Sequence, residues 1–158
     1  MKRRSFLRNG AASGLAAAII PGAASGAQSN SESQITQIRA PQGPKPAGPH
    51  SQAIKANGFI FAAGQTAHDP RTGKLIRGDI SAQTERAIEN LKLVLEAAGS
   101  SLDRAVQATV YLADMNDFEA MGKVYSRYFP SRPPARATVQ VAALHGGARV
   151  EIELIAVA

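Results

Sequence analysis

The 158-residue chain contains no cysteine, which excludes disulfides, a thiolate nucleophile, cysteine-ligated zinc and thiol-linked lipid. No acidic residue precedes Glu32, whereas Lys2, Arg3, Arg4 and Arg8 crowd the first eight positions. The formal net charge of +6 is therefore largely an N-terminal property, because residues 28–158 carry 14 basic against 12 acidic side chains, a net charge of +2. Steering toward nucleic acid needs a dense basic patch, and the body of the chain does not offer one, so no nucleic-acid partner is expected. The weakly apolar run Gly10–Ile20 falls well short of the ~20 residues that a membrane-spanning helix needs. No membrane anchor is expected. Nucleophile-elbow and phosphate-cradling glycine motifs are missing. His68 and His145 sit in turn-like segments without a partner at metal-ligand spacing, so no metal site is expected.

What is present begins with a targeting pattern. Arg3-Arg4-Ser5-Phe6-Leu7-Arg8, the apolar run that follows, the helix-breaking Pro21-Gly22 and the small residues Ser25-Gly26-Ala27 resemble a twin-arginine export signal over residues 1–27. Periplasmic or secreted localisation follows from that reading; a basic tail in a cytoplasmic protein is the alternative. Residues 28–47, rich in Gln, Ser, Pro and Gly, read as a linker and extended lead-in, to which Ile35–Ile38 adds one short edge strand. Residues 48–158 form one domain, and 44% hydrophobic content suffices for a core.

Within that domain, Ala53–Ala56 and Phe59–Ala62 flank Asn57-Gly58, a pair suited to a tight hairpin because both positions tolerate positive φ. A helix is predicted from about Ser81 to Ala98. Asp79 or Ser81 caps it, Ala87, Ile88, Leu91, Leu95 and Ala98 form its apolar stripe, and Gly99 ends it. Val106, Ala108, Val110 and Leu112 alternate as a strand. A second helix is predicted from a capping Asp114, with Phe118, Met121, Tyr125 and Tyr128 along one face, to a stop at Pro130. Strands over Ala137–Val141 and Val150–Val157 complete an α+β order in which two helices cover one face of a mixed sheet.

The last two strands place charge where a core is expected. Val150, Ile152 and Leu154 point one way, while Glu151, Glu153, Ile155 and Val157 point the other. This second set suits a subunit interface with a polar pocket, so a closed oligomer is expected. Arg136 lies on the neighbouring predicted strand. Arg136 and Glu151 are either a catalytic constellation or a cross-strand ion pair, and residue spacing leaves both open.

Ala62-Ala63-Gly64-Gln65, Glu96-Ala97-Ala98-Gly99, Asp114-Met115-Asn116-Asp117-Phe118, Pro134-Ala135-Arg136 and Glu151-Ile152-Glu153-Leu154-Ile155-Ala156 occur in an order and spacing that resemble the reactive intermediate deaminase (Rid, YjgF) family over residues 48–158. The resemblance implies a chorismate-mutase-like α+β subunit and a homotrimer with a barrel-like centre and interfacial pockets. It also implies cofactor-free hydrolysis of 2-imino or 2-enamino acids to 2-keto acids and ammonia. Residue by residue, it implies that Arg136 holds the substrate carboxylate through its planar guanidinium, that Glu151 positions water, and that His50, Gly64, Gly122 and Thr138 line the pocket. Four positions depart from the family's pattern: His50 stands for a tyrosine, Ala63 for a serine, Gly122 for an asparagine and Thr138 for a cysteine. A non-catalytic trimer that captures small carboxylates on the same fold is the alternative function.

Overall fold

The computed structural model describes residues 34–158; the expected signal segment, residues 1–27, and the first part of the lead-in lie outside them. Six strands form one sheet: β1 (Thr36–Ile38), β2 (Ala53–Ala56), β3 (Phe59–Gln65), β4 (Ala105–Leu112), β5 (Ala135–Gln140) and β6 (Val150–Val157). Their spatial order is β1-β2-β3-β6-β4-β5. All neighbours are antiparallel except β4 and β5, which run parallel. The β2–β3 hairpin turns at Asn57 (φ 50°) and Gly58 (φ 77°), the doubly positive geometry that an Asn-Gly pair tolerates.

Helix α1 (Ile80–Ala97) starts where the Asp79 carboxylate accepts from the Ala82 amide at 2.9 Å. It ends where Gly99, at φ 80°, lets the Gly99 and Ser100 amides donate back to the Glu96 and Leu95 carbonyls. Its buried face, Ile80, Thr84, Ala87, Ile88, Leu91, Val94 and Leu95, repeats at helical spacing. That face covers Val150, Ile152, Leu154 and Ala156 of β6, Ala108, Val110 and Leu112 of β4, and Ile60 and Ala62 of β3. Each large side chain so buried contributes about 1.5–3 kcal/mol.

Asp114 caps a short 3-10 turn, Met115–Asp117, rather than the second helix directly, its carboxylate accepting from the Asn116 amide. Helix α2 proper runs Phe118–Tyr128. Met121, Val124 and Tyr125 are its buried residues, whereas Phe118, expected in the core, is 41% exposed. Val106 is also exposed, because a bulge between Ala105 and Gln107 shifts the pairing of β4 with β6. Among the described residues no helix is long and apolar enough to cross a membrane.

Two polar clamps hold the segments that carry the candidate site. The guanidinium of Arg149, just ahead of β6, grips buried Asp117 through two bonds of 2.7 and 3.0 Å, and the Arg149 amide donates to Gln83 of α1. At the other end of the sheet, buried Gln52 substitutes for a missing strand partner. Its carbonyl accepts from the Ala40 amide at 2.8 Å, and its amide donates to the Ala40 and Pro44 carbonyls, fixing the lead-in that carries His50. Replacing Gln52 by Ala strands the buried backbone groups of Ala40, and the expected loss is about 1–3 kcal/mol. Urea unfolding checks this as a lowered midpoint at unchanged slope.

Candidate functional site

The six residues expected in the site divide into two groups on opposite sides of the sheet. Arg136 pairs with Ala108 and Thr138 with Val110 in the parallel β4–β5 ladder. Directly opposed residues share a face, and Ala108 and Val110 face the helices, so Arg136 and Thr138 do too. Glu151 pairs with Tyr111 of β4 and points to the uncovered face. Strand β4 also stands between β5 and β6. A cross-strand ion pair between Arg136 and Glu151 within one subunit is thereby ruled out.

On the helix side, β5 is an edge strand, and its Arg136 guanidinium lies 4.6 Å from the ring centre of Tyr125 and 5.7 Å from that of Phe118. Such stacking contributes about 0.5–2 kcal/mol and orients the cation. No carboxylate of the described residues stands within ion-pair distance of it, so its donors are free for an anionic ligand. Close by, the Thr138 and Tyr125 hydroxyls are buried without a hydrogen-bond partner. Burial pushes the Tyr125 hydroxyl up to about 12, with Arg136 pulling the other way, so that phenol stays neutral. Gly122 occupies the helix position between the two rings, and a Cβ built there meets nothing within 4 Å. Glycine in a helix interior costs about 1 kcal/mol relative to alanine, and here the space over it is open.

On the open side, Gly64 of β3 lies against the half-buried Glu151. A Cβ on Gly64 would fall 2.9 Å from the Glu151 Cδ and 3.0 Å from its Cγ, with the carboxylate oxygen Oε1 closer still. Only glycine leaves the carboxyl its present position. Burial, and then the neighbouring charge of Glu153, raise the Glu151 pKa above the usual carboxylate range, while His145 and His50 draw it partly back. Glu153 accepts from the Tyr111 hydroxyl at 3.1 Å, a partner within the subunit.

His50 is exposed, yet its charge reaches Glu151. His68 and His145, treated separately in the sequence, stack with ring centres 6.1 Å apart. The His68 Nδ1 lies 2.6 Å from the Thr66 hydroxyl, and buried Asn90 of α1 holds this loop by donating to the Thr66 and His68 carbonyls. Burial and His145 keep the His68 pKa below the ordinary imidazole value. Among the described residues no cluster of His, Asp and Glu is arranged to hold a metal. Sequence reasoning missed Tyr125 and Phe118 as site residues. Their seven-residue spacing on α2 reads as a core stripe, and only the parallel β4–β5 register reveals the arginine laid across it.

The arrangement offers a free cationic fork on one side and a desolvated carboxyl with a raised pKa on the other. A guanidinium with free donors can bind an anion, and a carboxylate of raised basicity can take a proton from water. A further groove of about 220 Å³ on the open face is lined by Phe61, Gln107, Thr109, Glu153 and Ile155 among others and includes neither Arg136 nor Glu151.

Residues 40–158 match the family model described as Endoribonuclease L-PSP. Over 113 residues the chain is 54% identical to a RutC family protein of Pyrococcus abyssi, covering 72% of this chain and 89% of that protein. Over 120 residues it is 44% identical to the 2-iminobutanoate/2-iminopropanoate deaminase of Mus musculus, covering 76% of this chain and 89% of that enzyme. The crystal structure of RidA from an Antarctic Psychrobacter species has the same fold, with a TM-score of 0.75 and 40% identity over 78% of this chain and 99% of that one. With a family match across three quarters of its length and relatives matched over nearly all of theirs, the chain belongs to the Rid/YjgF (L-PSP) family and has its chorismate-mutase-like α+β fold.

Proposed function

We propose that the protein hydrolyses reactive 2-imino or 2-enamino acids to 2-keto acids and ammonia, in pockets formed between the subunits of a homotrimer. The observation that carries this reading is the Arg136 guanidinium, held on aromatic rings with no carboxylate partner among the described residues. A bidentate bond from it to the substrate carboxylate is worth about 1.5–3 kcal/mol. The identity to a named imine deaminase supports the same chemistry. The endoribonuclease description of the family finds little support in a body charge of +2.

Glu151 comes from the neighbouring subunit in this reading. The open face presents Phe59, Phe61 and Val157, each more than a third exposed, a surface that calls for a partner. Packing that face against the β5 edge of the next subunit brings one subunit's Arg136 to the other's Glu151, His50 and Gly64. With the carboxylate anchored, ionised Glu151 takes a proton from water as the oxygen adds to the imine carbon. It then returns the proton to nitrogen to give a tetrahedral carbinolamine, and relays the carbinolamine's hydroxyl proton to that nitrogen as the carbon–nitrogen bond breaks, which leaves the keto acid and ammonia. The Thr138 main chain contributes a hydrogen bond at the imine nitrogen. Residues 1–27 direct export in this reading.

The size of the purified protein should be about three times the subunit mass. Arg136→Ala and Glu151→Gln should each bring the decay of imines generated in situ from amino acids close to the spontaneous rate. Unfolding and reassembling the two variants together should restore about a quarter of wild-type activity, because a random mixture leaves that share of interfaces with both residues intact. No recovery would place the site within one subunit. Carboxylate binding without turnover in the wild type would favour the binding-protein alternative.

Because ionised Glu151 accepts the proton, activity should fall on the acid side at a pH above that of an ordinary carboxylate. Glu153→Gln removes a charge that raises the Glu151 pKa and should move this limb to lower pH; His145→Ala removes one that lowers it and should move the limb up. The pH profile of kcat/KM, corrected for spontaneous hydrolysis, checks both signs. Replacing Arg3 and Arg4 together by Lys should leave precursor in the cytoplasm of a host with twin-arginine transport, as read by cell fractionation.

A further inference from the structure

Glu151 and Glu153 stand two residues apart on β6 and so on one face of the sheet. The β4–β6 register sets Tyr111 directly opposite Glu151 and Thr109 opposite Glu153, which puts all four side chains on the open face. The Tyr111 hydroxyl nevertheless does not bond its direct partner. It donates to Glu153 Oε1 at 3.1 Å, a diagonal reach that an aromatic side chain spans across two strands. Glu151 is left without a hydrogen bond among the described residues: what acts on it is burial, then the charges of Glu153, His145 and His50. One carboxyl of the pair is thus tied and the other bare. Burial and then the charge of Glu153 push the Tyr111 phenol up, so it keeps the proton it donates. The strand itself would accept phenylalanine at this position, so β4 alone gives the hydroxyl no role.

We propose that Tyr111 is a positioning residue for the hydrolytic step: its hydroxyl holds the Glu153 carboxylate beside Glu151, so that Glu151 is the member of the pair that takes the proton from water. The inference rests on the reading of Glu151 as the base. Two carboxyls so placed titrate as a pair, and a donor bonded to one member leaves the shared proton to the other. Driving two carboxyls apart in this way is how a site sets one of them aside as its base. Without the hydroxyl, Glu153 is free to swing from Glu151 or to compete for its proton, and either change weakens the repulsion that makes Glu151 basic. The other groups that face Glu151, His145 from the turn before β6, His50 from the lead-in and Gly64 from β3, stay in place when Tyr111 is changed.

The test compares the full chain with its Tyr111→Phe, Glu153→Gln and doubly substituted variants, and a thermal melt verifies folding of each. Tyr111→Leu repeats the measurement with a second side chain that lacks the donor. The glutamate Cδ resonances of isotopically labelled protein are titrated by NMR, with Glu151 assigned from its loss in Glu151→Gln. Wild-type Glu151 should titrate above the ordinary carboxylate range. Tyr111→Phe should lower its midpoint by at least a few tenths of a pH unit, and Glu153→Gln should lower it further. The double variant should match Glu153→Gln alone, because the hydroxyl acts only through Glu153. With imines generated in situ, the acid limb of kcat/KM should move in the same order. A Glu151 midpoint unchanged by Tyr111→Phe, or a double variant that shifts it by the sum of the single shifts, overturns the assignment. Should no imine be accelerated at all, the deaminase reading fails separately, and the titration, which needs no turnover, still decides whether Tyr111 controls Glu151.

Discussion

The period-two alternation of β6 is the constraint on which the remainder depends. Val150, Ile152, Leu154 and Ala156 are driven beneath α1 by burial, which commits Glu151 and Glu153 to the opposite face with no freedom to choose. The register of β4 against both neighbours then transmits the choice. Tyr111 and Glu151 share the open face, while Ala108 and Arg136 share the covered one. A slip of one residue in either ladder would bury a glutamate under the helices or turn the arginine away from its aromatic platform. The Arg149–Asp117 clamp, placed just before β6, guards against the first of these slips.

Much of the fold was legible in the sequence because its signals are local. The Asn57-Gly58 turn, the Asp79 cap, the Gly99 stop and the alternation of β6 are each set by neighbouring residues. The errors arose where tertiary packing overrode local pattern. Phe118 continues the apolar stripe of α2 in sequence, but the helix begins at its position and leaves the ring at the rim. Val106 fits the alternation of β4, but the bulge beside it turns the side chain outward.

Candidate site residues could be named from the sequence, but their placement could not. Arg136 and Glu151 are fifteen positions apart on consecutive strands, and consecutive strands in sequence usually pair. Here β6 instead inserts between β3 and β4, so the two residues are separated by a strand as well as by a face. The stacked His68 and His145 were hidden for a related reason. Their contact joins the loop after β3 to the turn before β6, and no spacing rule connects two such loops.

Separation by the sheet also answers a chemical difficulty. A guanidinium and a carboxylate brought together in one subunit would form an ion pair, which fills the arginine's donors and pulls the carboxyl pKa down. Either effect would disable the proposed half-site concerned, since one needs free donors and the other a carboxyl basic enough to take a proton from water. Among the described residues, Arg136 lies against the aromatic faces of Phe118 and Tyr125 with no carboxylate in ion-pair range, and Glu151 meets burial and a like charge, which raise its pKa. The two are thus prepared independently. In the trimer we propose, they would come together only across a subunit boundary, where a bound carboxylate would occupy the arginine first and leave the glutamate to act on water rather than on its natural counter-ion.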